Sequence, residues 1–406
     1  MSTNTDVRAA FVEARRLFRR HPDVTAIALG PRRRQGEFHP ELTVIAGIDR
    51  KQRKADVGRD DLLPLSVAGL PVDVQEMGRP QSLGEPLWGW VPYGAKARNR
   101  VTQRVDRVLH SGSNIFPRLK KAGAGTLGFF MHDHAQVIQD LPDLRHFAVT
   151  NAHVVARADR TRTVVELPVD GVTAVGHGRY SDLTGLFRRD VGVVARQWGY
   201  QAAANGTISM PLDLDDFALV QLNAGEEYAP DVGDLTSITD VRPVADFDDG
   251  IVDPKYLYKY GTCTGWTKGE LTGMWYERLD PPPADEDDPN FREIDGGVYN
   301  IGYHLLIRPE VDPDNLNRTN AFAYEGDSGS AVVDDRGNLV GQIHRVVVTD
   351  QQTRYTGVAT PIQRIIDTVT ADPDFADLVV TTPSSIGFST DPLTEPIVVP
   401  DWPNQP

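Results

Sequence analysis

The order of apolar and polar residues predicts a short α/β segment at the start of the chain. Residues 6–20 place apolar side chains at helical spacing, with arginines on the opposite face. Apolar stretches at 24–29, 42–48 and 69–75 predict three strands, separated by polar or proline-containing turns. Residues 1–80 are therefore interpreted as a small α/β domain, and they contain no recognisable chemical motif.

A longer β-rich region follows a connector at 81–122, which is rich in Gly, Pro and Arg and holds one candidate helix over 97–109. Short apolar runs separated by turn residues predict strands over residues 123–371. A helical pattern at 361–369 closes this region. The last segment, 372–406, is polar and interrupted by prolines, so we expect an extended or flexible tail.

Composition limits the possible partners and the compartment. The 36 Gly and 29 Pro fit a chain with many turns, and 42 Lys and Arg against 57 Asp and Glu give a net charge of −15. Such a charge argues against nucleic acid or an anionic membrane as a partner. No apolar run approaches the ~18 residues of a membrane span, and the first residues lack the pattern of a secretory signal. We therefore expect a cytoplasmic protein, of an oligomeric state that the sequence leaves unknown.

Three features resemble ligand sites and are interpreted otherwise. The single cysteine, Cys263, allows no intrachain disulfide and no cysteine-based metal cage. His132 and His134 have the spacing of a metal pair, but a metal needs three or four converging ligands, so we expect a hydrated hairpin tip. The glycines of 123–128 match a dinucleotide fingerprint, yet no strand precedes them and no helix follows. The sequence thus predicts neither a metal nor a cofactor.

Residues suited to nucleophilic catalysis occur in three separate stretches. Gly326-Asp327-Ser328-Gly329 places a serine on a tight turn, where glycines would expose its hydroxyl. The same turn aims the N–H groups of Gly326 and Ser328 into one small space, as an oxyanion hole requires. Upstream, an apolar run presents His153, and Asp216 begins another apolar run. Taken alone, the serine turn is also compatible with an ordinary surface turn.

The order His153, Asp216, Ser328 resembles that of the chymotrypsin-like (trypsin-like) serine peptidases. Residues 259–269 are similar to the Lys-x-Gly-x-x-Thr-Gly-x-Thr-x-Gly signature, which bacterial members carry on a hairpin of the second barrel. The resemblance covers residues 123–370. It implies a mostly β fold of two six-stranded barrels, here preceded by the small α/β domain.

The resemblance also implies an activity. An intracellular serine endopeptidase of this type hydrolyses protein or peptide substrates through an acyl-enzyme, with His153 as base, Asp216 as the orienting carboxylate and Ser328 as nucleophile. Asp190, which also begins an apolar run, is the main alternative to Asp216. A catalytically silent peptidase fold that acts as a binding or scaffold module is the alternative function.

Substrate specificity and activation are less clearly indicated. Phe322 lies six residues before the serine, where trypsin-like members place an aspartate, so a strict preference for basic residues is not expected. His344 lies on a strand expected to flank the specificity pocket, where it either favours acidic side chains or packs in the core. In trypsin-like zymogens a freed N-terminus pairs with the residue that corresponds to Asp327. Because a folded unit precedes the barrel here, we expect activity without such a cut.

Overall fold

The computed structural model of the 406-residue chain describes residues 4–21, 23–34, 37–52, 56–58, 62–82, 106–118, 124–134, 145–158, 164–168, 170–178, 188–199, 201–202, 208–209, 215–233, 236–244, 256–278, 304–310, 321–324, 326–349 and 354–386.

The described helices are few and short. They are α1 (Asn4–Phe18), α2 (Ala152–Val155) and α3 (Ile362–Thr370), with 3₁₀ turns at Pro373–Phe375 and Ser384–Ile386. Helix α1 packs the face predicted from its spacing: Val7, Phe11 and Phe18 are buried, and the ring of Phe11 meets that of Trp275 edge-on, with 5.6 Å between centroids. None of the described helices is long and apolar enough to cross a membrane.

Strands make up most of the described structure. They are β1 (Val24–Arg34), β2 (Glu37–Ile48), β3 (Ser66–Val67), β4 (Leu70–Ser82), β5 (Leu109–Ser111), β6 (Asn114–Pro117), β7 (Gly125–Thr126), β8 (Phe129–Asp133), β9 (His146–Thr150), β10 (Arg157–Ala158), β11 (Val164–Glu166), β12 (Ala174–Gly178), β13 (Arg188–Trp198), β14 (Gln201–Ala202), β15 (Ile208–Ser209), β16 (Phe217–Leu222), β17 (Tyr228–Val232), β18 (Thr236–Ser237), β19 (Tyr256–Gly261), β20 (Gly265–Arg278), β21 (His304–Pro309), β22 (Ala331–Val333), β23 (Leu339–Thr349), β24 (Arg354–Pro361) and β25 (Leu378–Val380).

Six strands close the barrel that carries the serine turn. They pair in the order β19-β22-β23-β24-β21-β20, and the hairpin of β19 with β20 closes the ring. The serine turn lies between β21 and β22. The barrel interior includes Leu305, Ile307, Val332 and Ile343, all buried.

The other half of the double barrel is a curled sheet. Its eight strands pair in the order β25-β8-β9-β16-β13-β12-β6-β7. Phe129, Phe147 and Phe217 are fully buried on one face of this sheet, while Phe130, Val194 and Val220 are buried on the other. The predicted mostly β, chymotrypsin-like double-barrel fold is confirmed, with a closed six-stranded barrel and a curled half-barrel in place of two closed barrels.

The N-terminal strands are hydrogen-bonded to the second barrel. Strand β1 pairs antiparallel with β20, and β4 pairs antiparallel with β23. Because β1 also pairs with β2, and β2 with β4, a second ring forms from β20, β1, β2, β4, β23, β24 and β21. The helix and three strands predicted for residues 1–80 are confirmed. Whether this unit is a separate domain stays a prediction, although its strands continue the barrel sheet.

The six-stranded barrel and the second ring share the strands β20, β21, β24 and β23. These strands form a common wall with apolar side chains buried on both of its faces. Successive side chains of a strand point to opposite sides, and on β21 Leu305 lies in the barrel core while Leu306 lies in the second ring with Ala28 and Ile45. Both leucines are at most 2% exposed. The N-terminal strands therefore cover an apolar outer face of the barrel.

Three sequence predictions are corrected by the strand assignments. The connector at 81–122 includes β5 and β6, and β6 is a member of the curled sheet, paired with β7 and β12. Leu109, which we assigned to the end of a helix, is in strand β5; the rest of that candidate helix that precedes residue 106 lies outside the described residues. The tail begins with a 3₁₀ turn and β25, which pairs with β8 through Val379 and His132. Leu378 and Val380 bury apolar surface in the core, which holds this segment in place.

The shared wall leads to a prediction about stability. Replacing Leu305 or Leu306 by alanine should each lower the free energy of unfolding by about 2–5 kcal/mol, because either change leaves a cavity in a packed core. Urea unfolding measures this. Gln221→Ala, at an exposed position of β16, is the control and should stay within about 0.5 kcal/mol. A Leu306→Ala variant as stable as this control would show that the outer face of the barrel is not covered.

Candidate active site

Strand register places the histidine beside the aspartate. Strands β9 and β16 are antiparallel, with Thr150 opposite Ala218, so the residues after β9 meet the residues before β16. Asn151 strengthens this junction: its side-chain Nδ2 donates to the carbonyl oxygen of Asp216 at 2.5 Å. Helix α2 then starts at once and projects His153 from its first turn.

His153 and Asp216 are joined by two hydrogen bonds. Nδ1 of the imidazole lies 2.6 Å from Oδ2 of Asp216, and the backbone N–H of His153 donates to Oδ1 at 3.1 Å. Burial alone would raise the pKa of Asp216, but the charge of His153, its two hydrogen bonds and the charge of Arg345 hold this pKa below its ordinary value. Asp216 is therefore a carboxylate at neutral pH, and it favours the tautomer with its proton on Nδ1 and a lone pair on Nε2.

The serine turn is held against the curled sheet. Gly326 and Gly329 have φ values of +94° and +95°, which favour glycine. A Cβ on Gly329 would also collide with the carbonyl oxygen of Thr126. Thr126 donates its N–H to the carbonyl oxygen of Ser328 at 2.8 Å and its hydroxyl to that of Gly326 at 2.7 Å. These contacts fix the serine turn at the junction of the two barrels.

Two N–H groups of the turn have no acceptor within the described part of the chain. Those of Asp327, Gly329 and Ser330 donate to backbone carbonyl oxygens. The N–H groups of Gly326 and Ser328 donate to none of the described residues. Both groups are therefore available to an acceptor from outside the described residues, and their role as an oxyanion hole stays a prediction.

The serine itself differs from the prediction in two ways. Ser328 is 1% exposed, although the sequence led us to expect an exposed hydroxyl. Neither the Oγ atom of Ser328 nor the Nε2 atom of His153 has a hydrogen-bond partner among the described residues. The two atoms are therefore not hydrogen-bonded to each other. Catalytic hydrogen bonds are often long without substrate and tighten when it binds.

A buried ion pair fixes Asp327 behind the nucleophile. Both side chains, Lys259 and Asp327, are 0% exposed, and Nζ lies 3.2 Å from Oδ2. Burial lowers the pKa of Lys259, and the charge of Asp327 and a hydrogen bond to it oppose that shift. The same carboxylate accepts hydrogen bonds from the backbone N–H groups of Cys263, Thr264 and Tyr324 and from the hydroxyl of Thr264. The Asp327 carboxylate thus joins the serine turn to the β19–β20 hairpin.

The alternative carboxylates are engaged elsewhere. Asp190 is about half exposed and accepts a hydrogen bond from Arg118 at 2.7 Å. Asp215 forms an ion pair with Arg364 of α3. Asp216 is the carboxylate that contacts His153, as the sequence analysis preferred.

The two residues proposed to bind substrate are both buried. Phe322 is 0% exposed, and its ring lies against Gly269 and Gly357, where added Cβ atoms would be 2.7 and 2.6 Å from it. His344 is 2% exposed, and its ring centroid lies 4.3 Å from that of His304. Phe322 is therefore a core residue in this structure, and a substrate contact of either residue stays a prediction.

The His304–His344 pair lies in a positively charged neighbourhood. Burial, the charge of Arg345 and that of Arg364 lower the pKa of His304 to about 3. Burial, His304, Arg345 and His153 lower the pKa of His344 well below its ordinary value. Both nitrogens of His344 lack a hydrogen-bond partner in the described part of the chain. Both rings are therefore neutral at physiological pH.

Several of these residues had no distinct signal in the sequence. Lys259 belongs to the hairpin signature, but nothing in that pattern indicates that its ammonium group reaches Asp327. The contact of Asn151 with Asp216 and the tilted ring contact of His304 with His344 depend on strand register. A register is set by the whole sheet, so single stretches do not reveal it.

The other candidate ligand sites are parts of the fold. His132 is buried in β8, not at a hydrated hairpin tip as expected; its Nδ1 lies 2.9 Å from the hydroxyl of Thr381, and burial lowers its pKa to about 4. Gly125 of the glycine-rich stretch is in strand β7, and strand β8 follows it where a nucleotide fingerprint would need a helix. Within the described ranges, no three His, Cys, Asp or Glu side chains are grouped as metal ligands.

Comparisons with known proteins identify structural neighbours. No family model and no curated protein matches the sequence. Among solved structures, Thermobifida fusca Protease A is similar over 68% of this chain and 99% of its own, at 12% identity and a TM-score of 0.35. Nocardiopsis protease (NAPase) gives 15% identity, 68% and 100% coverage and a TM-score of 0.35. A glutamic acid specific serine protease gives 14% identity, 67% and 100% coverage and a TM-score of 0.34.

The fold is established by the sheets themselves: a closed barrel and a curled sheet, with the serine turn at their junction. It is a chymotrypsin-like double barrel, as the sequence resemblance implied. The N-terminal strands β1, β2 and β4 cover the outer face of the barrel that carries the serine turn.

The buried ion pair leads to a prediction about its own energetics. Lys259→Met leaves the Asp327 carboxylate buried without its cation, and should lower the free energy of unfolding by about 3–5 kcal/mol. Asp327→Asn leaves the ammonium group buried instead. The double variant should lose clearly less than the sum of the two single losses, because the two groups interact directly.

Urea unfolding of the four proteins measures this cycle. Lys268→Met is the matched control, because Lys268 is in the same hairpin and pairs with Glu310 at the surface; such a pair contributes about 0–1 kcal/mol. Additive losses in the double variant would contradict a direct interaction.

Proposed function

We propose that this chain is a serine endopeptidase with His153, Asp216 and Ser328 as its catalytic triad. The observation that carries the proposal is the doubly hydrogen-bonded His153–Asp216 pair, in a chain whose Ser328 turn is fixed at the junction of the barrel and the curled sheet. The N–H groups of Gly326 and Ser328, with no acceptor among the described residues, support it. Proteins or peptides are the proposed substrates, and the cytoplasm is the proposed compartment.

Each residue has one role in the reaction. Nε2 of His153 takes the proton of the Ser328 hydroxyl as Oγ attacks the peptide carbonyl carbon. Asp216 holds the ring in the required tautomer and stabilises the imidazolium that forms. The N–H groups of Gly326 and Ser328 donate to the tetrahedral oxyanion. His153 then returns the proton to the leaving amine, and water hydrolyses the acyl-enzyme by the same steps.

The ion pair supports activity without processing of the N-terminus. A serine turn keeps its oxyanion geometry only while the aspartate before the serine is held in place. Here the cation beside Asp327 is Lys259, which is part of the chain interior. The turn therefore needs no newly formed amino group to hold it.

The histidine pair supports a preference for acidic side chains near the cleaved bond. A carboxylate that reached His344 would accept a hydrogen bond from a ring that has no partner among the described residues. It would also enter the positive field of Arg345. The alternative, a histidine that only packs in the core, stays open in the test below.

One observation favours a second function. Because Oγ of Ser328 and Nε2 of His153 are not hydrogen-bonded, the chain is also compatible with a catalytically silent scaffold. Reactivity towards a fluorophosphonate decides between the two, since only an activated serine is labelled.

We expect the wild-type protein to be labelled by the fluorophosphonate at Ser328, and Ser328→Ala not to be labelled. Asp216→Asn should lower kcat/KM on a peptide library by on the order of 10⁴-fold, because the ring loses the tautomer that accepts the serine proton. Asp190→Asn is the matched control and should retain wild-type activity. A folded wild-type protein that is neither labelled nor active would support the scaffold or a tightly inhibited state.

We also expect His344→Leu to lower kcat/KM for peptides with glutamate before the cleaved bond by about 10-fold or more, relative to the same peptides with leucine there. One hydrogen bond to a charged group, worth about 1.5–3 kcal/mol, accounts for this ratio. Equal effects on the two substrate series would assign His344 to the core alone.

A further inference from the structure

Strands β22 and β4 lie end to end along one side of β23. Strand β24 pairs with residues 341–349 on the other side. On the shared side, β22 pairs with residues 339–342 and β4 pairs with residues 345–349. The two segments are separated by the positions opposite Ile343 and His344, where β23 has a bulge.

The serine turn occupies this gap. The N–H of Ile343 donates to the carbonyl oxygen of Ser330 at 2.9 Å, and the N–H of Gly329 donates to the carbonyl oxygen of Ile343 at 2.8 Å. The last residue of β4, Ser82, lies opposite Arg345. Arg345 follows Ile343 by two residues, and a strand rises about 3.3 Å per residue. The end of β4 is therefore about 7 Å along the edge from the serine turn.

The direction of β4 relative to the serine turn is that of a peptide bound along this edge. Both β4 and β22 run antiparallel to β23, so β4 approaches the serine turn as it runs from Met77 to Ser82. A peptide that adds itself as a strand to a sheet edge is a recurring mode of recognition, in which main-chain hydrogen bonds supply affinity. Residues 345–349 of β23 offer such an edge beside the nucleophile, and β4 fills it.

We propose that residues 77–82 of β4 occupy the strand position that an extended peptide substrate takes beside Ser328, so that the N-terminal unit inhibits the active site of its own chain. This inference rests on the proposed peptidase function. A substrate must displace the end of β4 before its carbonyl can reach Oγ.

The start of β4 holds its end in place. Residues 72–76 pair in parallel with β2, and Met77 is buried with Ala26, Ile45 and Val347 in the second ring. The inhibiting segment is thus tethered, and a tethered segment competes at a high effective concentration. The end beyond Met77 can leave the edge while the rest of the unit remains bound.

A binding experiment that needs no catalysis tests the proposal. In the full-length Ser328→Ala background, Gln81→Pro and Ser82→Pro are combined, because neighbouring N–H groups of a strand point to opposite sides and one of the two must face β23. The probe is a fluorescein-labelled synthetic peptide of residues 75–82, followed by fluorescence anisotropy. We expect the double proline change to lower the Kd at least 10-fold.

Ser66→Pro is the control, because Ser66 is exposed and lies in β3 of the same unit; it should leave the Kd unchanged. An unchanged Kd in the folded double proline variant would overturn the proposal and leave β4 as a structural strand. Labelling of Ser328 by a fluorophosphonate separately tests the peptidase function, so the two failures are distinguishable.

Hydrogen exchange on the unaltered chain covers the case in which the proline variant does not fold. After reaction with a tripeptidyl phosphonate, which places a strand along the edge, the amides within residues 78–82 that face β23 should lose protection at least 10-fold; Pro80 has no amide hydrogen. A small fluorophosphonate without a peptide should leave them protected. Protection that the tripeptidyl reagent does not change would overturn the proposal, as would peptide binding that leaves β4 in place.

Discussion

The carboxylate of Asp327 is the point on which the candidate site depends. It lies in a fully buried position and is satisfied by Lys259, by three backbone N–H groups and by the Thr264 hydroxyl. A buried charge with fewer partners would carry a large desolvation cost. Because all of these donors must be present together, the hairpin, the serine turn and the segment before it at Tyr324 adopt one arrangement. The φ values of Gly326 and Gly329 make that arrangement accessible to the backbone.

A second constraint, strand register, places the histidine and aspartate. The pairing of Thr150 with Ala218 sets the distance between the end of β9 and the start of β16. A shift by one residue would turn the side chains to the opposite face and separate His153 from Asp216. Phe147 and Val149 are buried with Phe129 on one face and the smaller Ala148 is buried on the other, and this packing resists such a shift. The apolar core of the curled sheet therefore positions polar residues that it does not contact.

Much of this organisation was predictable from the sequence because its signals are local. The serine turn, the histidine at the end of a strand and the aspartate before another strand each occupy a few consecutive residues. The hairpin signature correctly placed β19 and β20 in the second barrel. In contrast, the ion pair of Lys259 with Asp327 and the ring contact of His304 with His344 join segments far apart in sequence. Such contacts depend on the register of several strands, and no single stretch encodes them.

The tail and the N-terminal unit show what a local interpretation overlooks. Polar residues and prolines made residues 372–386 look extended, yet Leu378 and Val380 alternate as a strand with one buried face and pair with β8. The position of the N-terminal unit had a clearer signal, in the barrel strands that it covers. Leu305-Leu306-Ile307 and Val346-Val347 are continuous apolar runs, where a strand with one solvated face would alternate.

Those runs indicate that both faces of β21 and β23 pack against apolar neighbours. Strands β1, β2 and β4 provide these neighbours on the outer face. This cover has a consequence for the site. The strand that completes the outer ring, β4, ends on the same edge of β23 that supports the serine turn. Burial of the outer wall and access to the nucleophile are therefore determined by one segment. If the whole of β4 left the sheet to open the cleft, Val347 and Leu306 would be exposed to water. Movement of the end of β4 alone therefore costs less free energy.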